Sequence, residues 1–590
     1  MLIYKKIKDN AYIPSFIGDK SEIIRYLKCL AHTKDKDLVG TEWHLTKNGV
    51  DELSTKMNLP TISSIGNLLK ITPYEYQKES VSEAISIDGG CLFSLPCGSG
   101  KTIVGICLFD ELRRLNKIHK KGLIVVKTTI KLQWFNEVKK FSNYKPSIIE
   151  SYSACNVTRN TKVRTLKKQQ EKLIKEDAVL NMDEISDLED SIRSITKKCD
   201  EIFNEQFDAD IFVLNYETLA DERVMSKIKE CVDFIYVDEI HVIKSPTAKR
   251  SKNLFELSNI KYTYGATATP IQKNPIDIYS IFRFLKPDLF PKLNEFKGYY
   301  VKYNSYGFQV GSKNEKKLHN IIRPYMVIKT PEEVAQELPE LYVIQKCFTM
   351  DPRQEEMTSS LLDEIKQLKE QEEKYIDKIG SVEEARKTEF VQQIDAQIMA
   401  CQTFAQELVD SEELLQVSDS NLAKKYITGS TSNKLNEMID IMDSIIESGE
   451  KVCIFSKYRK MQPIMAAAIK KYFKDSVTIA FVNGTMTKEQ QYKEWHDNFN
   501  NGSANVLIMS DAAAEGLSLG SCGYLIEYEP ADSYLIQTQR RGRIQRADSV
   551  HRTVYVYQLI GENSYDEIAL RIVNKKEKFM RTIVKGEDAD

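Results

Sequence analysis

Two α/β lobes, each a parallel sheet covered on both faces by helices, are what the sequence predicts, with helical segments inserted between them and within the first. Three observations predict it. Short apolar, β-branched runs alternate with helical stretches over 71–330, and the same alternation returns over 421–590. Two charged stretches between strands carry apolar residues at three- and four-residue steps. Strands that are apolar throughout need cover on both faces, and interleaved helices supply it. A chain of 590 residues is also long for one core, so several domains are expected.

The first seventy residues carry no motif and are assigned to an accessory region, 1–70. The first lobe, 71–330, has strand-like runs at 89–96, 122–127, 210–216, 234–239 and 262–269. Inside it, 157–206 is highly charged, and Ile185, Leu188, Ile192, Ile195, Cys199 and Ile202 form one apolar stripe, which predicts an inserted helical hairpin of coiled-coil type. Residues 331–420 read as a helical linker or protrusion, with Ile365, Leu368, Ile376 and Ile379 on one side and a break at Gly380-Ser381. Either helical segment is a solvated spacer or a surface for a protein partner. The second lobe, 421–590, has runs at 451–456, 477–484, 505–510, 524–530 and 554–560.

Composition narrows the function classes. No stretch reaches the eighteen or so uninterrupted apolar residues of a membrane span, and the opening MLIYKKIKDNAYIP lacks a signal-peptide core, so a cytoplasmic protein is expected. The eleven cysteines form no CxxC pair, which argues against zinc and for buried free thiols. A net charge of −2 gives no global case for nucleic acid, so that case must come from motifs.

"LPCGSGKT" (95–102) joins an apolar strand to a helical stretch. Gly98 and Gly100, with Ser99 between them, let the backbone turn its N–H groups toward phosphates, and the new helix adds its positive end. Lys101 then reaches the β- and γ-phosphates while the Thr102 hydroxyl ligates Mg²⁺. Leu95 stands where the usual first glycine of a P-loop NTPase would be. "FIYVDEIH" (234–241) is an apolar strand ending in two carboxylates, with Asp238 expected to hold Mg²⁺ and Glu239 to polarise the attacking water. ATP and Mg²⁺ are the cofactors these motifs call for. The cluster "QTQRRGRIQR" (537–546) puts four arginines far along the chain, in the second lobe. A guanidinium on the γ-phosphate stabilises transfer by roughly 4–7 kcal/mol. Arg543 and Arg546, three apart, fall on one face if the segment is helical and would point together into a cleft between the lobes.

In this order the phosphate loop, a DExH box of DEAD/DEAH type, "TATP" and Q-x-x-G-R-x-x-R resemble superfamily 2 helicases with two RecA-like lobes, and more closely the Swi/Snf-like double-stranded DNA translocases, over about 71–582. The closer resemblance rests on "TPYEYQKESV", on W-x-x-E at Trp134 and Glu137, and on "GATATPIQKNPIDIYSIFRFLKPDLF". It implies adenine contacts from Gln77 and nucleotide contacts from His241, Gly516 and Gln539. It further implies that Thr267 and Thr269 couple the lobes, and that Asp511, Glu515 and Gly516 lie near nucleic acid and ATP. The activity implied is ATP-driven movement along duplex DNA. A strand-separating helicase on DNA or RNA, and an ATP-gated clamp with slow turnover, are the alternatives. Gln545, the Ala547-Asp548-Ser549 tail, Lys127 and Lys329 depart from the family pattern without touching the ATP chemistry. With no chromatin-reading module, a minimal viral, phage or bacterial member is expected.

Overall fold

Alternation within each strand decides how the lobes are layered. In a computed structural model the residues described are 2–7, 11–16, 36–39, 42–45, 65–66, 69–177, 182–271, 274–303, 309–334, 338–418, 423–429, 432–511, 517–546 and 548–586. Near the N-terminus, β1 (Leu2–Ile7), β2 (Ala11–Phe16), β3 (Lys36–Val39) and β4 (Glu42–Leu45) form an antiparallel sheet in the order β1-β2-β4-β3.

The first lobe contains β5 (Cys91–Ser94), β6 (Lys121–Val126), β7 (Pro146–Ile148), β8 (Ile211–Asn215), β9 (Val232–Asp238) and β10 (Tyr262–Thr267). A small hairpin, β11 (Val301–Tyr303) with β12 (Gln309–Ser312), precedes β13 (Met326–Ile328). The sheet order is β13-β5-β10-β9-β6-β8-β7, and every pairing is parallel. Successive side chains point to opposite faces. Leu123, Val125, Ile235 and Val237 therefore fill one core, and Ile124, Val126, Phe234 and Tyr236 the other. Each such side chain contributes about 1.5–3 kcal/mol by leaving water.

The second lobe repeats the plan with β14 (Glu340–Phe348), β15 (Val452–Phe455), β16 (Ile479–Val482), β17 (Val506–Met509), β18 (Tyr524–Glu527) and β19 (Thr553–Gly561). Their order is β14-β19-β18-β15-β17-β16, again all parallel. Here the structure departs from the expected boundary: Glu340–Phe348, placed in the helical linker by sequence, is the edge strand of the second sheet, in register with all of β19. Its run Leu341-Tyr342-Val343-Ile344 is short and the strand is mostly exposed, so little burial marks it out from the helical segment that follows.

Both helical inserts are present. Helices Val157–Asp177 and Met182–Glu205 pack as a hairpin, and the predicted stripe is half-buried against Val163, Leu166 and Leu173. Its base is tied down by buried Phe203 and by Asn156 Nδ2, which donates to Cys199 O at 3.2 Å. Helices Pro352–Ile379 and Glu389–Asp410 form the second insert around Leu361, Ile365, Leu368, Ile394 and Ile398. Gly380, with φ of 74°, ends the first of these helices in the left-handed conformation that glycine tolerates best. Each insert follows the carboxyl end of an edge strand, β7 or β14.

The last helix, Tyr565–Lys585, was assigned by sequence to the second lobe, but its end lies on the first. Met580, Ile583 and Val584 join the first lobe's core beside Leu318 and Ile322, and His319 Nδ1 donates to Ile583 O at 2.8 Å. Among the described residues no helix is long and apolar enough to cross a membrane.

Candidate active site

In a parallel sheet all carboxyl ends lie along one edge, where binding groups collect. The loop after β5 carries Gly98 and Gly100 at φ of 76° and 72°, followed by helix Lys101–Arg114. A second helix, Glu75–Ile87, holds this loop in place. Tyr76 Oη donates to Ser99 O at 2.7 Å, and Gln77 Nε2 donates to the same carbonyl at 3.0 Å. Gln77 Oε1 accepts from Tyr74 N–H at 2.9 Å, so both amide atoms are engaged. A β-carbon on Gly100 would lie 2.5 Å from Gln77 Nε2, and the φ of 72° there also favours glycine. Lys101 Nζ donates to Pro96 O at 3.2 Å and Leu95 O at 3.5 Å.

The carboxylates stand at the end of β9, two strands away in the sheet. Asp238 Oδ2 accepts from Trp134 Nε1 at 2.8 Å, and Oδ1 accepts from Glu239 N–H at 2.9 Å. Glu239 has φ of 49°, a strained value for a non-glycine residue. Its Oε2 lies 3.0 Å from His241 Nδ1 and 3.4 Å from Thr267 Oγ1, and those two groups are 3.0 Å apart. Burial, reinforced by the charge of Glu239, pushes Asp238 up to about 6. Burial works on Glu239 in the same sense, but the His241 contact and the charge of Lys101 outweigh it and hold that carboxyl low. One carboxylate of the pair is thus ionised throughout the neutral range.

From the second lobe comes helix Tyr534–Arg541, and the four arginines at and beyond its end divide into two pairs. Arg540 is buried, with Nε and Nη2 donating to Asp511 Oδ1 and Oδ2 at 2.7 and 2.8 Å and Nη1 to Glu529 O at 2.7 Å. Arg541 pairs with Glu527 at 3.2 Å. Arg543 and Arg546 lie beyond the end of the helix, so the expectation that they share a helical face is corrected. Gly542 terminates the helix, and the turn after it carries both arginines into the cleft. Arg543 Nη1 donates to Leu517 O at 3.2 Å, and Arg546 Nε to Asp548 Oδ1 at 3.2 Å.

A cavity of about 420 Å³ joins these groups. Its walls include Gln77, Gly98, Ser99, Gly100, Lys101, Thr102, Asp238 and Glu239 of the first lobe and Gln539, Arg543 and Arg546 of the second. His241, Thr267 and Thr269 stand behind the wall, buried, and Asp511 is occupied with Arg540. Glu515 and Gly516 lie outside the described residues. Sequence reasoning missed part of the cavity lining, since Ile71, Tyr74, Gln133, Lys140 and Phe141 add apolar and polar wall to it, together with Glu137. The spacing of Gln133, Glu137 and Lys140 on one helical face was the available signal. It also missed the Trp134 bond to Asp238, which has no local pattern.

The SNF2-related domain matches residues 46–414, and the helicase conserved C-terminal domain matches 395–548. The uncharacterized ATP-dependent helicase YqhH of Bacillus subtilis is 23% identical over 60% of this chain and 60% of its own. A SWI/SNF-related matrix-associated actin-dependent regulator of chromatin of Mus musculus is 25% identical over 63% of this chain and 33% of its own. The chain therefore spans between a third and three fifths of the length of these two relatives. The solved SWI2/SNF2 ATPase core of Sulfolobus solfataricus in complex with dsDNA is 19% identical, covers 88% of this chain and 94% of that one, and has a TM-score of 0.36.

Proposed function

The chain belongs to the SNF2-related domain family, and from that premise we propose that it is a nucleic-acid-dependent ATPase that converts ATP hydrolysis into movement along duplex DNA. One observation carries the proposal: a single cavity is lined by the phosphate loop and acidic pair of one lobe and by Arg543 and Arg546 of the other. Such a site is complete only when the lobes are together, which ties hydrolysis to their relative motion.

The residues present fit a magnesium nucleotide. Two glycines at positive φ, a lysine, a hydroxyl and a buried carboxylate face one space large enough for a nucleotide. Thr102 and Asp238 would hold Mg²⁺, which neutralises phosphate charge when bound. Lys101 and the loop N–H groups bind and orient the phosphates. Glu239, held ionised and aimed by His241 and Thr267, orients a water and accepts its proton. Arg543 and Arg546 meet charge that develops on the γ-phosphate. Thr267, hydrogen-bonded to Glu239 and to Thr269 N–H, is suited to pass the state of the site toward the lobe junction. Asp511 acts by fixing Arg540, and Glu515 and Gly516 keep the role that the family resemblance implies, close to nucleic acid and ATP.

The test is the ATPase rate without nucleic acid and with duplex DNA, single-stranded DNA or RNA, with Lys101→Ala as the blank. Selective stimulation by duplex DNA is expected. Preference for single strands or RNA transfers the assignment to a strand-separating helicase, and indifference to all three to an ATP-gated clamp.

A further inference from the structure

The first insert segregates its charge. Helix Val157–Asp177 contains seven lysines and arginines against three acids, whereas Met182–Glu205 contains eight acids against three bases. Charge placed only for solubility mixes both signs on each helix. Attraction between the two helices accounts for part of the separation, but not for where the bases point. Steps of 100° per residue put Arg164, Lys168, Lys172 and Lys175 on the side opposite Val163, Leu166 and Leu173, which face the partner helix. All four are exposed, and their neighbours on that side are Thr161, Thr165 and one acid, Glu171, with Val157 at the start of the helix.

This stripe suits one kind of ligand. Its cations stand at i, i+4, i+8 and i+11, about 6 Å apart over about 16 Å of helix. That repeat matches a nucleic-acid strand, whose phosphates follow one another at a similar distance. Between Arg164 and Lys175 the stripe has no apolar residue, and so lacks the large buried anchor on which protein interfaces depend. Its location agrees. The hairpin grows from the carboxyl end of β7, and β7 is parallel to β5, β9 and β10, whose carboxyl ends carry the phosphate loop, Asp238 and Thr267. The arm therefore springs from the working edge of the first lobe, at its flank.

We propose that Arg164, Lys168, Lys172 and Lys175 form a phosphate-tracking arm that grips the backbone of duplex DNA beside the first lobe. The inference rests on the duplex translocase reading and adds to it a contact outside the two sheets. Contacts of this type carry no sequence information and act through release of counterions.

The test replaces all four with glutamine, which keeps a helix-forming, exposed side chain. Binding to a 30-base-pair duplex is followed by fluorescence anisotropy between 50 and 200 mM salt, with circular dichroism as the check on folding. The slope of log affinity against log salt is expected to become shallower by about 3 to 4, with duplex Kd weaker by at least about tenfold at the low-salt end. In the ATPase assay the duplex concentration for half-stimulation should rise, with the saturated and DNA-free rates unchanged. An unchanged slope and Kd, alongside duplex-stimulated ATPase in the parent, would overturn the arm and leave the translocase reading standing. A parent that neither binds nor responds to duplex would overturn both. Equal weakening by Asp187→Asn, Glu189→Gln and Asp190→Asn on the acidic helix would assign the effect to the hairpin's fold and also sink the proposal.

Discussion

A β-carbon built on Gly542 falls 2.3 Å from Cβ of Cys97, so the turn after the arginine helix of one lobe lies directly on the phosphate loop of the other. A neighbouring contact repeats it, since a β-carbon on Gly98 would meet Gln545 O at 2.6 Å. Gly542 has φ of −67°, which alanine adopts freely, so Gly542→Ala tests the contact and not the backbone. We expect kcat to fall by about tenfold or more while nucleotide affinity, read with a fluorescent analogue, changes less than about threefold. Adding Cys97→Gly removes the opposing carbon and should return most of the rate, a coupling that a double-mutant cycle measures.

The two arginine pairs should separate stability from catalysis. Arg540→Ala leaves Asp511 without its bidentate partner and should cost about 3–5 kcal/mol, seen as a lower Tm of the second lobe. Arg543→Ala, which removes a side chain that faces the cleft and donates to Leu517 O, should leave Tm within a few degrees. Its kcat should drop by about 10³.

Gln77 should prove to act through the phosphate loop. Its amide is spent on Ser99 O and Tyr74 N–H, although the residue lines the cavity. Gln77→Ala is expected to weaken ATP binding by about tenfold, the worth of one or two buried hydrogen bonds. The ratio of kcat/KM for ATP over GTP should stay within about twofold, because the base meets other residues. A collapse of that ratio would return Gln77 to base recognition.

Glu407 offers a pH test of stability remote from the site. Burial raises its carboxyl to about 7 against the opposing charges of Lys460 and Lys457. A carboxyl raised on folding favours the folded state below its unfolded value and forfeits that contribution as pH climbs through about 7. Glu407→Gln should therefore melt higher than the parent at pH 8.5 and nearly with it at pH 5. The gap should be about 1–2 kcal/mol after allowance for the group's partial exposure.

Particular residues show why parts of this molecule were legible before folding. Phosphate loop and acidic pair each occupy a few consecutive positions at a strand end, so local chemistry announces them. The hairpin stripe from Ile185 to Ile202 is equally local, since its period is set by the helix alone. β14 was not legible: an exposed edge strand buries little, and its partner β19 lies about two hundred residues away. Trp134 illustrates the same limit, because its bond to Asp238 spans 104 positions.

Sequence by itself determined two α/β lobes, the inserted hairpins and the phosphate-loop and acidic-pair residues that the cavity turns out to be lined by, because each depends on periodicity or spacing within one element. Tertiary structure alone decided that Arg540 and Arg541 serve the lobe while Arg543 and Arg546 serve the cleft. It alone decided that Gln77 braces the loop, and that the final helix crosses to the first lobe. Those outcomes turn on which distant surfaces come within a few ångströms of each other, and burial, charge pairing and close packing settle that only once the whole chain is in place.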